Sequence, residues 1–232
     1  MAAHCFFDEE NNLYEATQLK VTLGKHDRLK TSDEETSRQE LWVLNLLVHP
    51  GYNHSSQLFE DDIALLLVGE NEININDYVR LICLWNDDYH LDKIVNKTGI
   101  VVGWGFTAEH KQATILQKAE LPVTSYENCY NSGMRFYQKY MHPTENFCAG
   151  VPQEQRSACI GDSGGGFFFY DKYVDRYFVR GVVSLSKLKN VIDDDGYLLN
   201  SCNPAAYALY TDVTSYMQWI VDNTPDINKY FI

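Results

Sequence analysis

An all-β fold, either a sandwich or a barrel, is what this sequence predicts, on three grounds. Strand-length apolar or alternating runs recur along the chain with turn signals between them. Aromatic residues are plentiful, with 16 Tyr, and they favour strands over helices. The 232 residues suit one large domain, a length common among all-β barrels.

Leu19 to Leu23 alternates like a half-buried strand, and Leu41 to Val48 is a long apolar strand that stops at the turn signal His49-Pro50-Gly51. Ile63 to Val68 reads as a fully buried strand, and Gly99 to Gly105 as a strand closed by glycines. Further strands are expected at Gln117 to Val123, Gly165 to Tyr170, Tyr177 to Ser184 and Ala206 to Tyr210. Two segments have helical character. One runs from Ser125, an N-cap, to Asn131. The other is Thr214 to Asp222, where Tyr216, Trp219 and Ile220 share a face and Asn223-Thr224-Pro225 is the stop. Thr31 to Ser37 reads as a solvated loop. Lys187 to Ser201 reads as another; its run Asp193-Asp194-Asp195-Gly196 lacks the ligand spacing of an EF-hand, so no metal is expected there.

The formal net charge of −13 argues against a nucleic-acid footprint and against a polybasic membrane contact. The longest apolar runs, Ile63 to Val68 and Phe167 to Tyr170, are strand-sized rather than membrane-spanning. Six cysteines form no CxxC pair, which disfavours a zinc ribbon or a redox motif. Asn53-His54-Ser55 and Asn96-Lys97-Thr98 are glycosylation sequons, and with the cysteines they point to a secreted protein glycosylated at Asn53 and Asn96. Met1-Ala2-Ala3-His4 has neither the basic nor the apolar region of a secretory leader, so the sequence is expected to be part of a longer chain.

The densest chemical signal is Gly161-Asp162-Ser163-Gly164-Gly165. A serine among glycines can be a flexible turn. The stretch also fits the G-x-S-x-G nucleophile elbow, whose triad runs serine, acid, histidine. All seven histidines precede Ser163, which rules that reading out. The orders Asp-His-Ser and His-Asp-Ser remain, and both place the base upstream. Ala2-Ala3-His4-Cys5 lies far upstream. Between it and Ser163, Asp62 leads directly into a buried strand, where a desolvated carboxylate needs a donor such as an imidazole N–H.

Ala2-Ala3-His4-Cys5, Asp62-Ile63-Ala64-Leu65 and Gly161-Asp162-Ser163-Gly164-Gly165, in that order, resemble the trypsin/chymotrypsin family of serine endopeptidases. The likeness extends through His49-Pro50-Gly51-Tyr52-Asn53, Val79 to Leu84, Gly103-Trp104-Gly105, Asn146 to Gly150, Val182-Val183-Ser184 and Tyr210 to Val213. Gly164-Gly165-Gly166 is similar to arthropod cascade proteases of the gastrulation-defective and modular types. The resemblance implies two six-stranded antiparallel Greek-key barrels and a C-terminal helix at about 214–222. The barrels would span about 1–100 and 101–212 of a single peptidase domain over 1–232. The strands that precede A-A-H-C in the family are missing here, so the first barrel is expected to be incomplete and the chain to derive from a longer secreted zymogen.

By the same resemblance His4 is the general base, Asp62 its orienting acid and Ser163 the nucleophile; Asp61 is the rival acid, but only Asp62 directly precedes Ile-Ala-Leu. Gly161 and Ser163 would supply the oxyanion-hole amides, and Asp162 would pair with a newly cleaved α-amine. Ser157, Ser184, Ser186 and Ala208 would line the substrate pocket. Ser157 takes the place of the acid that recognises basic side chains, so a non-basic P1 residue (the one supplying the scissile carbonyl), aromatic or large aliphatic, is expected. Disulfides Cys159–Cys202 and Cys129–Cys148 are implied, with Cys5 and Cys83 left unpaired. Lys25 stands where calcium-binding relatives use an acid. No cofactor and no metal are expected. The implied partners are protein substrates, an activating protease and a serpin-type inhibitor, with no nucleic acid and no membrane. The competing reading is a non-catalytic protease homologue acting as a binding or regulatory module.

Overall fold

The computed structural model describes residues 1–31, 34–35, 37–69, 73–107, 109–192 and 198–224. Strands β1 (Lys20–Leu23), β2 (Gln39–Val48) and β3 (Ala64–Val68) form an antiparallel sheet in the order β1-β2-β3. Among the described residues this three-stranded sheet does not close into a barrel. Alternation along β2 buries Leu41 and Val43 and exposes Trp42 and Leu44, as period-two geometry requires. A bulge between Val43 and Asn45 then shifts its pairing with β3.

Strands β5 (Thr98–Gly103), β6 (Gln117–Thr124), β7 (Asn146–Ala149), β8 (Gly166–Asp171), β9 (Arg176–Ser186) and β12 (Ala208–Asp212) close into a six-stranded antiparallel barrel. Closure comes from β12, which pairs with β7 on one side and β9 on the other and leaves the barrel no free edge. Short β4 (Cys83–Leu84) pairs parallel with β9. Phe147, Phe167, Phe169, Phe178 and Tyr210 fill the interior with Val101, Leu121, Val123 and Val183. Phe147 stacks on Tyr210, and Phe167 meets both edge-on, the geometry that ring quadrupoles favour.

Two expectations are corrected. Lys187 to Ser201 is not a plain loop: β10 (Leu188–Ile192) and β11 (Leu198–Cys202) pair there as a hairpin, because the alternating flanks of the acidic run can exchange ladder bonds. The acidic run itself, Asp193 to Gly196, lies outside the described residues, as does part of the Thr31–Ser37 segment. Among the described residues there are three α-helices instead of two: α1 (Tyr126–Ser132), α2 (Met134–Tyr140) and α3 (Met217–Asn223). Ser125 caps α1 by accepting from the Asn128 amide. A 3-10 turn, Val213–Tyr216, precedes α3 and takes up the first residues of the predicted C-terminal helix. No helix among the described residues is long and apolar enough to cross a membrane.

The segment around His4 sits at the joint between the two halves. Ala2 packs with Ile63, Val182, Val213, Tyr216 and Ile220. Ala3 and Phe6 pack with Ala64 against the open sheet. One short 3-10 turn, Ala3–Phe6, is thereby clamped from both sides.

Candidate active site

Asp62 precedes β3 and is wholly buried. Its carboxylate accepts from the His4 backbone amide at 2.9 Å, from His4 Nδ1 at 2.8 Å and from Ser184 Oγ at 2.5 Å. Thr211 Oγ1 also donates to the Asp62 carbonyl at 3.1 Å. A buried carboxylate without donors would be costly, and three donors fix both its place and its orientation. With Nδ1 held by Asp62, Nε2 is the imidazole nitrogen left to work. Burial works against a charged imidazole, but hydrogen bonds to Asp62 and Cys5 outweigh it and push the His4 pKa up to about 10. Asp61 takes a different role: among the described residues its carboxylate lies 3.5 Å from His49 Nδ1, whereas His4 pairs with Asp62.

The segment leading to Asp62 is strained. Gln57, Phe59 and Asp61, none of them glycine, all adopt left-handed backbone with φ of 53°, 59° and 53°. This turns the Phe59 ring edge-on to His4, with centroids 5.5 Å apart, and toward Tyr140 of α2.

Ser163 lies half-buried in a turn pinned to β9. Gly164 donates to the Val183 carbonyl and Val183 donates to the Gly165 carbonyl, both at 2.8 Å. Gly161 and Gly164 have φ of +89° and +79°, which only glycine adopts without strain. A β-carbon on Gly164 would lie 3.2 Å from the Ala2 amide nitrogen and 3.7 Å from the Cys5 sulfur, so the turn abuts the segment that carries His4. The amides of Asp162, Gly164 and Gly165 are taken by backbone carbonyls, whereas among the described residues those of Gly161 and Ser163 donate to no protein acceptor. Two unused amides beside a serine are the chemical requirement of an oxyanion site.

Asp162 helps to line a cavity of about 330 Å³ together with Gly103, Gly105, His110, Arg156 and Lys189 among others. Its carboxylate accepts from the Gly105 and Cys159 amides at 2.9 and 3.0 Å. Side chains at 103 or 105 would collide with it. Burial raises its pKa despite those two bonds, and no ion pair to it is recorded among the described residues.

Ser184, Ser186 and Ala208 lie at one end of β9 and β12, where Ser186 stands opposite Ala208. Ser157 belongs to the irregular segment that leads through Cys159 to Ser163. Disulfides Cys159–Cys202 and Cys129–Cys148 are present, while Cys5 and Cys83 are free thiols. Asn53 and Asn96 are both exposed. Thr211 escaped the sequence reading, because nothing in its neighbourhood announces a contact with a residue 149 positions away. Phe59 escaped it too, since its left-handed backbone has no glycine to mark it.

A protein-family model described as Trypsin matches residues 1–220. The chain is 27% identical to the serine protease gd of Drosophila melanogaster over 94% of its length, covering 44% of that protein. It is 31% identical to mannan-binding lectin serine protease 1 of Rattus norvegicus over 79% of its length, covering 26% of that protein. It is 28% identical to coagulation factor IX of Cavia porcellus over 94% of its length and 66% of that protein. The chain therefore spans only part of each of these relatives.

Proposed function

Because the chain belongs to the trypsin family, we propose that it is a serine endopeptidase domain in which His4, Asp62 and Ser163 cleave peptide bonds through an acyl-enzyme. Ser163 Oγ attacks the scissile carbonyl as His4 Nε2 takes its proton. The oxyanion forms against the amides of Gly161 and Ser163, and His4 returns the proton to the leaving amine. Water then repeats the sequence and frees the acid. The buried Asp62 carboxylate, bonded at once to His4 Nδ1, the His4 amide and Ser184, is the observation that carries this reading.

Asp162, which forms no ion pair among the described residues, is the acceptor for an α-amine released by zymogen cleavage. Residues 1–232 act as one peptidase unit, with barrel one in the first hundred residues and barrel two in 101–212. The unit works outside the cell as one step of a protease cascade, glycosylated at Asn53 and Asn96, with protein substrates, an activating protease and a serpin-type inhibitor as partners. The words coagulation factor in one relative's name support that setting. Ser157, in place of an acid, supports a non-basic P1 residue.

A second reading, a non-catalytic binding module, is favoured by one observation: a His4 pKa of about 10 keeps the base protonated at neutral pH. Labelling with a fluorophosphonate decides between them. The enzyme reading expects Ser163 to displace fluoride and take the label, with no label on Ser163→Ala. A chain bearing all three residues that takes no label between pH 7 and 10, with or without an Ile-Val-Gly-Gly peptide added to fill the Asp162 cavity, is the binding module.

A further inference from the structure

We propose that a carbohydrate chain on Asn96 folds back onto the protein and occupies a second cavity, of about 390 Å³, beside the tip of the β8–β9 hairpin. The proposal rests on the reading of Asn96 as a glycosylated residue and not on the proposed chemistry: none of His4, Asp62 and Ser163 lines this cavity. Trp85, Phe169 and Phe178 are its buried aromatic walls, and Tyr170 and Tyr173 its exposed ones. The hairpin tip is fixed. The Tyr173 backbone amide donates to Asp171 Oδ1 and the Tyr170 hydroxyl donates to Asp175 Oδ1, both at 2.7 Å. Tyr173 is nonetheless 86% exposed, with Val174 and Tyr177 exposed beside it. A ring held in water by an ordered turn forgoes the burial that most aromatic side chains obtain, which marks this surface as a place of contact.

The polar groups around the rings select the ligand. Lys97 and Lys172 on one hand, Asp87 and Asp171 on the other, complete the lining with Asn86. Their formal charges cancel, which favours a neutral ligand over an ion. Asp87 and Asp171 each accept a backbone amide with one carboxylate oxygen, which leaves the second oxygen to accept from a ligand hydroxyl. The two ammonium groups and the Asn86 carboxamide supply donors. A neutral ligand with many hydroxyls and a flat apolar face that lies on an aromatic ring is a saccharide. Asn96 brings one to the place. It directly precedes Lys97, and all three residues of the sequon Asn96-Lys97-Thr98 are exposed. The root is fixed as well: the Asn96 amide donates to the Val123 carbonyl at 2.8 Å, and the Val123 amide to the Lys97 carbonyl at 2.9 Å. A tethered sugar meets its cavity at high effective concentration, so contacts too weak to hold a free saccharide suffice. Asn53 differs, since none of residues 52–55 lines this cavity.

The test uses the full chain secreted by a eukaryotic host. Glycopeptide mass spectrometry first shows whether Asn96 carries carbohydrate. A peptide N-glycosidase then acts on the folded protein, and the rate of release from Asn96 is measured. Tyr173→Ala removes an exposed ring from a loop tip, and release from Asn96 is expected to quicken by at least about fivefold, the weight of one aromatic stacking contact. Tyr173→Phe keeps the ring and is expected to keep the slow release. Release from Asn53 is expected to be the same in all three chains. No carbohydrate on Asn96 overturns the glycosylation reading at that residue and the docked chain with it. Carbohydrate that leaves Asn96 equally fast from the unaltered chain and from Tyr173→Ala overturns the docking and leaves the glycosylation reading standing. The docking is likewise overturned by a Tyr173→Phe chain as fast as Tyr173→Ala, or by an equal acceleration at Asn53.

Discussion

His4 carries the electrostatic consequence that bears most directly on the proposed chemistry. Its pKa of about 10 lies well above the ordinary 6.5, and burial alone would have moved it the other way. The group must lose its proton before it can accept one from Ser163. Peptidase activity is therefore expected to climb as pH rises from 7 toward 10, measured as kcat/KM on a peptide substrate. The same shift has a stability consequence of definite sign. The folded state holds this proton more tightly than the unfolded state, so the stabilisation is complete below pH 6.5 and is lost as pH rises through about 10. Asp62→Asn removes the charge that opposes the burial effect. NMR titration is expected to find the His4 pKa well below 10, and kcat/KM to drop by about ten-thousandfold because the imidazole loses its anchored tautomer.

At the scale of elements, β9 and β12 are joined by more than their ladder. Arg180 of β9 is wholly buried; its Nε and Nη2 each donate to the Asp212 carboxylate at 3.0 Å. It also donates to the carbonyls of Asp88 and Tyr89 and lies under the Trp85 ring at 4.9 Å. This one guanidinium binds the connection between the two halves to the closed barrel. Arg180→Ala leaves Asp212 charged and buried, and a loss of about 3–5 kcal/mol in urea denaturation is expected. The hairpin β10–β11 is held by a different device, Cys159–Cys202, which closes a sequence separation of 43. Replacing both cysteines by serine is expected to cost about 2–5 kcal/mol and to loosen the Ser163 turn along with the hairpin. Differential scanning calorimetry gives the first quantity and the rate of fluorophosphonate labelling the second.

The whole molecule is strongly acidic, with a pI near 4.9 and a net charge of −13. Such a charge acts over distances set by salt rather than by contacts. A peptide carrying several lysines away from P1 is expected to be cleaved faster at low ionic strength, and kcat/KM for it to fall as salt is raised to about 0.15 M. A neutral peptide with the same P1 residue is expected to show no such dependence. The closed barrel stands or falls as a unit around Phe167, which has no exposed surface. Phe167→Ala is expected to cost about 3–5 kcal/mol in the same denaturation experiment.

Strand periodicity and turn residues made most of both sheets legible in the sequence, because they are local properties of the chain. The choice of His4 and Asp62 came from the family resemblance, but that any histidine base must lie upstream of Ser163 was legible as well, since all seven histidines precede the serine. Helix α2 was not, because seven residues between Gly133 and Met141 offer too short a pattern for a helical period to show. The hairpin after Ser186 was hidden by the acidic run at its tip. What the tertiary structure alone decided is which distant groups meet: Thr211 and Ser184 on Asp62, Arg180 on Asp212, Ser186 on Ala158. Each of these bonds joins residues between 28 and 149 positions apart, and burial makes them obligatory only once barrel closure has removed the water that would otherwise serve every one of these groups.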